Sequence, residues 1–225
     1  MSIDDFELDG QRVERLAVLK GVVSRFVAAR QGDRFGVIVF GTTAATMVPP
    51  SFDRELVTGM IQQVQVGIAG DNTAIGDALG LALKQLRERQ ALRPALILFS
   101  DNTENTAGDI TPSEAVELAR RMGVAIYTVQ VGSDLFAEGR APARADSLPA
   151  EPDLRQIASL TGGRFYRADN SGALQAVVAD IGKLEQTITR PSTRRVVEEW
   201  YWAALLLAVC LFSAARLLQI RRMAA

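Results

Sequence analysis

No histidine occurs among the 225 residues, which excludes His general bases, Ser-His-Asp triads and imidazole metal ligands. There is a single cysteine, Cys210, so no intrachain disulfide can form and the redox compartment stays open. Any metal must therefore be held by oxygen, which favours Mg²⁺, Mn²⁺ or Ca²⁺ over Zn²⁺. An excess of one charge is lacking too. Lys plus Arg number 25 and Asp plus Glu 26, a net charge of −1, and no whole-chain case for nucleic acid follows. Residues 1–11 are polar and acidic, without the basic and apolar regions of a signal peptide. The glycines at 67 and 70 are not followed by the Lys-Ser/Thr pair of a phosphate loop. No Gly-x-Ser-x-Gly elbow supports a hydrolase built on Asp101.

What is present is an alternation of apolar runs and helical stripes. Ala95-Leu96-Ile97-Leu98-Phe99 enters from Pro94 and ends at Ser100-Asp101, the pattern of a strand buried on both faces in a parallel sheet. Phe35–Phe40 reads as a second such strand, Val124–Val131 as a third, and Arg164–Tyr166 as a short fourth. Ala45–Val48 reads as a short edge strand stopped by Pro49-Pro50. Helical periodicity covers Arg12–Arg30, Phe52–Val64, the segment from Ile75 to Leu86, the segment opened by Pro112, Asp153–Leu160 and the run from Leu174 to Leu184. Residues 133–152 form a Pro/Ala-rich loop. The order predicts a doubly wound α/β fold, in which ligands bind outside the carboxyl ends of the strands. Asp101 falls at such an end, and Thr73 falls just before a helix. Singly, each has an ordinary alternative, Asp101 as a turn residue and Thr73 as an N-cap. Asp71 and Asn72 share the turn reading, and Glu104 and Asp109 read as solvated loop residues.

After a polar linker at 187–199, residues 200–220 are apolar except for Ser213, Arg216 and Gln219, long enough to cross a hydrocarbon core of about 30 Å. Trp200, Tyr201 and Trp202 would form an interfacial belt at one end, with Arg221 and Arg222 in a basic tail, 221–225, at the other. A transmembrane helix is expected there. Basic residues flank both ends, so the positive-inside rule does not set its orientation.

Gly32-Asp33-Arg34-Phe35-Gly36-Val37-Ile38-Val39-Phe40, Gly70-Asp71-Asn72-Thr73-Ala74-Ile75-Gly76-Asp77-Ala78-Leu79, Leu98-Phe99-Ser100-Asp101 and Asn105-Thr106-Ala107-Gly108 follow one another along the chain. Together they resemble a von Willebrand factor A (VWA) domain, most nearly the bacterial membrane-anchored aerotolerance (Bat-type) proteins. Gly162-Gly163-Arg164-Phe165-Tyr166 and the C-terminal apolar segment fit that subgroup. The resemblance implies a Rossmann-like sheet over residues 1–186 and no enzymatic activity. It also implies a metal-ion-dependent adhesion site for Mg²⁺, with Mn²⁺ or Ca²⁺ as alternatives. Thr73 and Asp101 match two of the family's three ligand loops. The third, an Asp-x-Ser-x-Ser loop after the first strand, is not found before the first helix, and neither is that strand. Met1 stands near the place of the Met that follows the loop, so the start at Met1 is expected to be internal and ion binding by this stretch alone weak or absent. The family's missing strand would lie centrally, between 35–40 and 95–100. The resemblance further implies a multi-protein envelope complex with other VWA membrane proteins and a MoxR-type AAA+ ATPase, in the bacterial inner membrane. The domain would lie in the cytoplasm if the chain starts at Met1, and outside the membrane if further spans precede it. The competing expectation is a metal-independent membrane scaffold with a degenerate ion site.

Overall fold

The computed structural model describes residue 1 and residues 6–8, 11–88, 94–101, 105–132 and 151–185. The chain divides into two compact units, Met1–Thr187 and Ile188–Ala225. The second unit, with the expected span at 200–220, lies outside the described residues, as does the loop at 133–150. Among the described residues no helix is long and apolar enough to cross a membrane.

The first unit interleaves strands and helices, strictly alternating from β5 onward. In chain order the elements are β1 (Phe6–Leu8), β2 (Gln11–Val13), α1 (Arg15–Ala29), β3 (Phe35–Phe40), β4 (Ala44–Ser51), α2 (Arg54–Gln63) and α3 (Ile75–Glu88). They continue as β5 (Ala95–Ser100), α4 (Pro112–Met122), β6 (Ala125–Val131), α5 (Leu154–Leu160), β7 (Phe165–Ala168) and α6 (Ser171–Leu184). β5, β6 and β7 form a parallel sheet in that order, with Ala95 opposite Ala125 and Thr128 opposite Phe165. β3 pairs antiparallel with β4, and β1 with β2 in a short hairpin.

Period-2 alternation along β5 sends its side chains to two different cores. Ala95, Ile97 and Phe99 join Val18 and Val22 of α1 and Leu174, Val178 and Ile181 of α6. Leu96 and Leu98 join Leu79 and Leu83 of α3, Ala115 and Ala119 of α4 and Ile157 of α5. A third cluster lies between α1, α2 and the β3–β4 pair, where Val27, Val57, Ile61 and Val48 meet Phe35 and Val37. Phe40, at the other end of β3, packs into the α3 cluster. Helices thus cover both faces of the strands, as the alternation predicted.

The central strand differs from expectation in its burial. β6, laddered on both edges, buries Ile126, Tyr127, Thr128, Val129 and Val131. β5 is as apolar and lies between the same helix layers, yet only Leu98 and Ser100 are fully buried. No residue of β3 is. Neither strand has a ladder partner on its remaining edge among the described residues, and β3 and β5 are not bonded to each other.

Two further boundaries move. β4 runs through Pro49 and Pro50 to Ser51, where the sequence suggested a stop. Pro is tolerated because among the described residues β4 pairs on one edge, with β3, and the ring of Pro50 faces Gly36, whose missing side chain leaves it room. The helix expected from Arg12 starts at Arg15, because residues 11–13 are drawn into the hairpin that seats Phe6 in the α1–α6 cluster. Helix starts otherwise follow local chemistry. Asp53, Thr111, Asp153 and Asn170 each cap a helix through the side chain, and Thr111 with Glu114 and Asp153 with Gln156 close reciprocal capping boxes.

Candidate functional site

The carboxyl ends of β3 and β5 and the N-terminus of α3 converge through their backbones. After β3, Gly41 accepts from Ala74 N at 2.8 Å, and Thr43 N donates to the Ala69 carbonyl at 3.2 Å. A Cβ on Gly41 would sit 2.6 Å from the Ala69 oxygen, so the two loops can approach this closely only with glycine there. After β5, the segment at 105–110 returns to the same place. Thr73 N donates to Thr106 Oγ1 at 2.9 Å, and the Thr73 carbonyl accepts from Thr106 N at 2.9 Å and Ala107 N at 3.3 Å. The Asn105 side-chain oxygen accepts from Gly76 N at 3.2 Å.

Thr73 is half-buried. Its backbone is held on both sides, while among the described residues no hydrogen bond engages its hydroxyl. The N-cap role is therefore not the one its side chain plays. Asp101 is exposed at the end of β5, and its Oδ2 forms an ion pair with the N-terminal ammonium of Met1. Met1 also accepts from Leu16 N through its carbonyl, which ties it to the first turn of α1.

The other expected residues divide. Asp71 and Asn72 lie exposed in the loop before Thr73, with Asn72 N reaching Thr42 Oγ1 at 3.4 Å. Asp109 is exposed, and its backbone N–H rather than its carboxylate makes the local contact, to Asp77. Glu104 lies outside the described residues. Among the described residues no group of three His, Cys, Asp or Glu could hold a metal. The candidate donor set is one carboxylate, Asp101, and one hydroxyl, Thr73, both hard oxygen ligands suited to Mg²⁺ or Ca²⁺.

Two contributors were not visible from the sequence. Arg15 is 97% buried, with Nη1 3.3 Å from the Val131 carbonyl, so a guanidinium closes the carboxyl end of β6. An Arg at the head of an amphipathic helix gives no sign of this. Asp77, in the first turn of α3, reaches across to loop 105–110 instead of capping its own helix. Its only signal was the neighbouring Gly76.

Burial pushes the Tyr127 phenol up to about 12, helped by its 2.7 Å hydrogen bond to Glu185. Burial also raises Tyr166, which donates to Asp180 at 2.6 Å. Hydrogen bonds from Thr111 hold the Glu114 carboxyl below its ordinary value.

Residues 2–180 match the model of the von Willebrand factor type A domain. An uncharacterized protein of Borreliella burgdorferi is 25% identical over 205 residues, covering 88% of this chain and 60% of that protein. A UPF0353 protein of Mycobacterium tuberculosis is 29% identical over 188 residues, covering 70% and 53%. The chain thus spans about 60% or less of the length of these curated relatives. Among solved structures, the conserved hypothetical protein BatB of Bacteroides thetaiotaomicron superposes with a TM-score of 0.63 at 24% identity, over 83% of this chain and 94% of that one. Proximal thread matrix protein 1 of the mussel byssus, with a zinc-occupied MIDAS motif, gives 0.56 at 25%, over 75% and 40%. Structural neighbours therefore include Bat-type, aerotolerance-related proteins. Domains of this type are typically engaged in protein–protein interaction and metal-dependent adhesion. By its family match, its α/β architecture and the converging loops of its site, this chain belongs to the von Willebrand factor type A domain family.

Proposed function

We propose that the chain is a membrane-anchored interaction module that binds a partner protein through a divalent cation held at Thr73 and Asp101, with no catalytic step of its own. The observation that carries this reading is the presentation of Thr73. Its backbone is fixed by Thr106 and Ala107, and among the described residues no hydrogen bond engages its hydroxyl at the carboxyl ends of the strands. A hard cation there, Mg²⁺ by preference, supplies open coordination positions that a carboxylate of the partner would fill.

Two ligands bind such an ion weakly, and the half-buried edges of β3 and β5 bear on this. Strands laddered side by side lie about 4.8 Å apart. β3 and β5 are covered by α1 on one face and α3 on the other, yet among the described residues no ladder joins them. One further strand, parallel to β5, would satisfy both edges and deliver the family's Asp-x-Ser-x-Ser loop beside Asp101, next to Met1. We take that strand to be carried ahead of Met1 in the working protein. Residues 200–220 would anchor it in the bacterial inner membrane, with the domain outside. Other VWA membrane proteins and a MoxR-type AAA+ ATPase are its proposed assembly partners.

The test is co-purification from detergent-solubilised membranes in Mg²⁺ or in EDTA, with the unsubstituted chain and with Asp101→Ala. Partner loss in EDTA and in Asp101→Ala is expected. Complexes that survive both would replace this reading with a metal-independent scaffold. That alternative has one observation in its favour, the lack of a three-residue acidic cluster among the described residues.

A further inference from the structure

Asp77 is placed oddly for a carboxylate in the first turn of a helix. There the dipole favours a negative charge, and such a side chain usually serves its own helix. Instead one oxygen, Oδ1, accepts two backbone donors from another loop, Asp109 N at 3.0 Å and Ile110 N at 2.8 Å. The surrounding backbone is shaped for it. Gly108 has φ +102°, and a Cβ there would stand 2.8 Å from the Asp77 carboxyl carbon. A Cβ on Gly76 would stand 2.7 Å from the Ile110 carbonyl carbon, against backbone that has no side-chain freedom to yield. At the opposite end of the same loop, Asn105 takes Gly76 N and donates to the Ala107 carbonyl at 3.0 Å, and Thr106 grips Thr73. Loop 105–110 is thus fastened to residues 73–77 at both ends.

We infer that Asp77 is a positioning residue for the cation site: it locks the loop that follows Asp101 onto the turn that carries Thr73, and so fixes the spacing of the two ligands. The inference rests on the reading of Thr73 and Asp101 as ligands. It assigns Asp77 no contact with the ion. Its carboxylate is committed to two amides and acts through Thr106 and the Thr73 backbone.

A fixed spacing has a consequence that simple stability does not. Mg²⁺ demands near-ideal octahedral geometry at about 2.0–2.1 Å, whereas Ca²⁺ accepts flexible geometry at about 2.3–2.6 Å. Loosening the clamp therefore penalises Mg²⁺ more than Ca²⁺. Groups that orient metal ligands typically change affinity by about 10–100-fold when removed. The experiment is calorimetric titration of Mg²⁺ alone and of Ca²⁺ alone into the protein as isolated from its native membrane and its variants. Asp77→Ala should weaken Mg²⁺ by about tenfold or more and Ca²⁺ by clearly less. Asp77→Asn keeps an oxygen that can accept the same two amides and should retain most of the Mg²⁺ affinity. Equal loss of both ions, or no loss, overturns the positioning role while leaving the site intact. Should the unsubstituted protein and Asp101→Ala bind identically, the ligand assignment itself fails, and the role of Asp77 falls with it.

Discussion

Two helical glycines give the sharpest test of the close approach beneath the site. Gly59 lies exposed in α2, and a Cβ built there meets nothing within 4 Å. Gly76 lies buried in the first turn of α3, and its Cβ would be driven into the Ile110 backbone, with the carbonyl carbon of Thr111 also 2.8 Å away. In an open helix, Gly→Ala stabilises by about 1 kcal/mol. Gly59→Ala should show that gain. Gly76→Ala, in the first turn of α3 rather than its interior, gains at most that much and must displace residues 108–111. Overpacking of that kind costs about 1–3 kcal/mol. The two Asp77 hydrogen bonds it would stretch are worth about 1 kcal/mol each. The sum is a net loss of about 2–4 kcal/mol, which for a domain of this size lowers Tm by roughly 5–15 °C. Urea and thermal unfolding of the two variants beside the parent chain would read both signs. If Gly76→Ala stabilises as Gly59→Ala does, α3 does not pack closely against loop 105–110 and Asp77 does not clamp that loop.

Other outcomes follow from single contacts. Thr111→Ala removes the capping-box hydroxyl of α4 and should cost about 1 kcal/mol by urea unfolding. Because Thr111 holds the Glu114 carboxyl below its ordinary value, that box contributes most above the carboxylate range and is lost as pH falls through the lowered value. Tyr127 runs the other way. Its folded value of about 12 exceeds the unfolded value of 10.0, so its contribution is complete below pH 10 and is lost as pH rises toward 12. Alkaline unfolding of Tyr127→Phe should be correspondingly flatter between those limits. Leu83→Ala, at a fully buried position of α3, should cost about 2–5 kcal/mol in the same assays. The intact mass of the protein isolated from native membranes should exceed 24.3 kDa if a strand is carried ahead of Met1, and a mass equal to it would refute that part of the reading.

The strand and helix order was legible because apolar runs of five to seven residues and 3.6-period stripes are local signals. The run at 95–99 shows where such signals stop. Its composition describes a strand wanting cover on every side, but cover along an edge must come from a neighbouring strand that local pattern cannot specify, and among the described residues β5 is laddered on one edge alone. Pro49 and Pro50 suggest a stop because Pro cannot donate to a ladder. β4 needs no donor on its outer edge, which only the pairing reveals. At the site, Asp101 and Thr73 were readable as residue types at strand ends and helix starts. The clamp was not, since Asp77 meets its partners 32 and 33 residues away. The buried Arg15 likewise depends on β6, 116 residues on.

The central claim is that Thr73 and Asp101 share one cation, and anomalous diffraction from crystals grown in Mn²⁺ tests it most directly. The account predicts a single strong peak between the Thr73 hydroxyl and the Asp101 carboxylate, absent from crystals of Asp101→Ala. A peak elsewhere, at Asp71 or Asp109 for instance, or none at all with both side chains ordered, would contradict it.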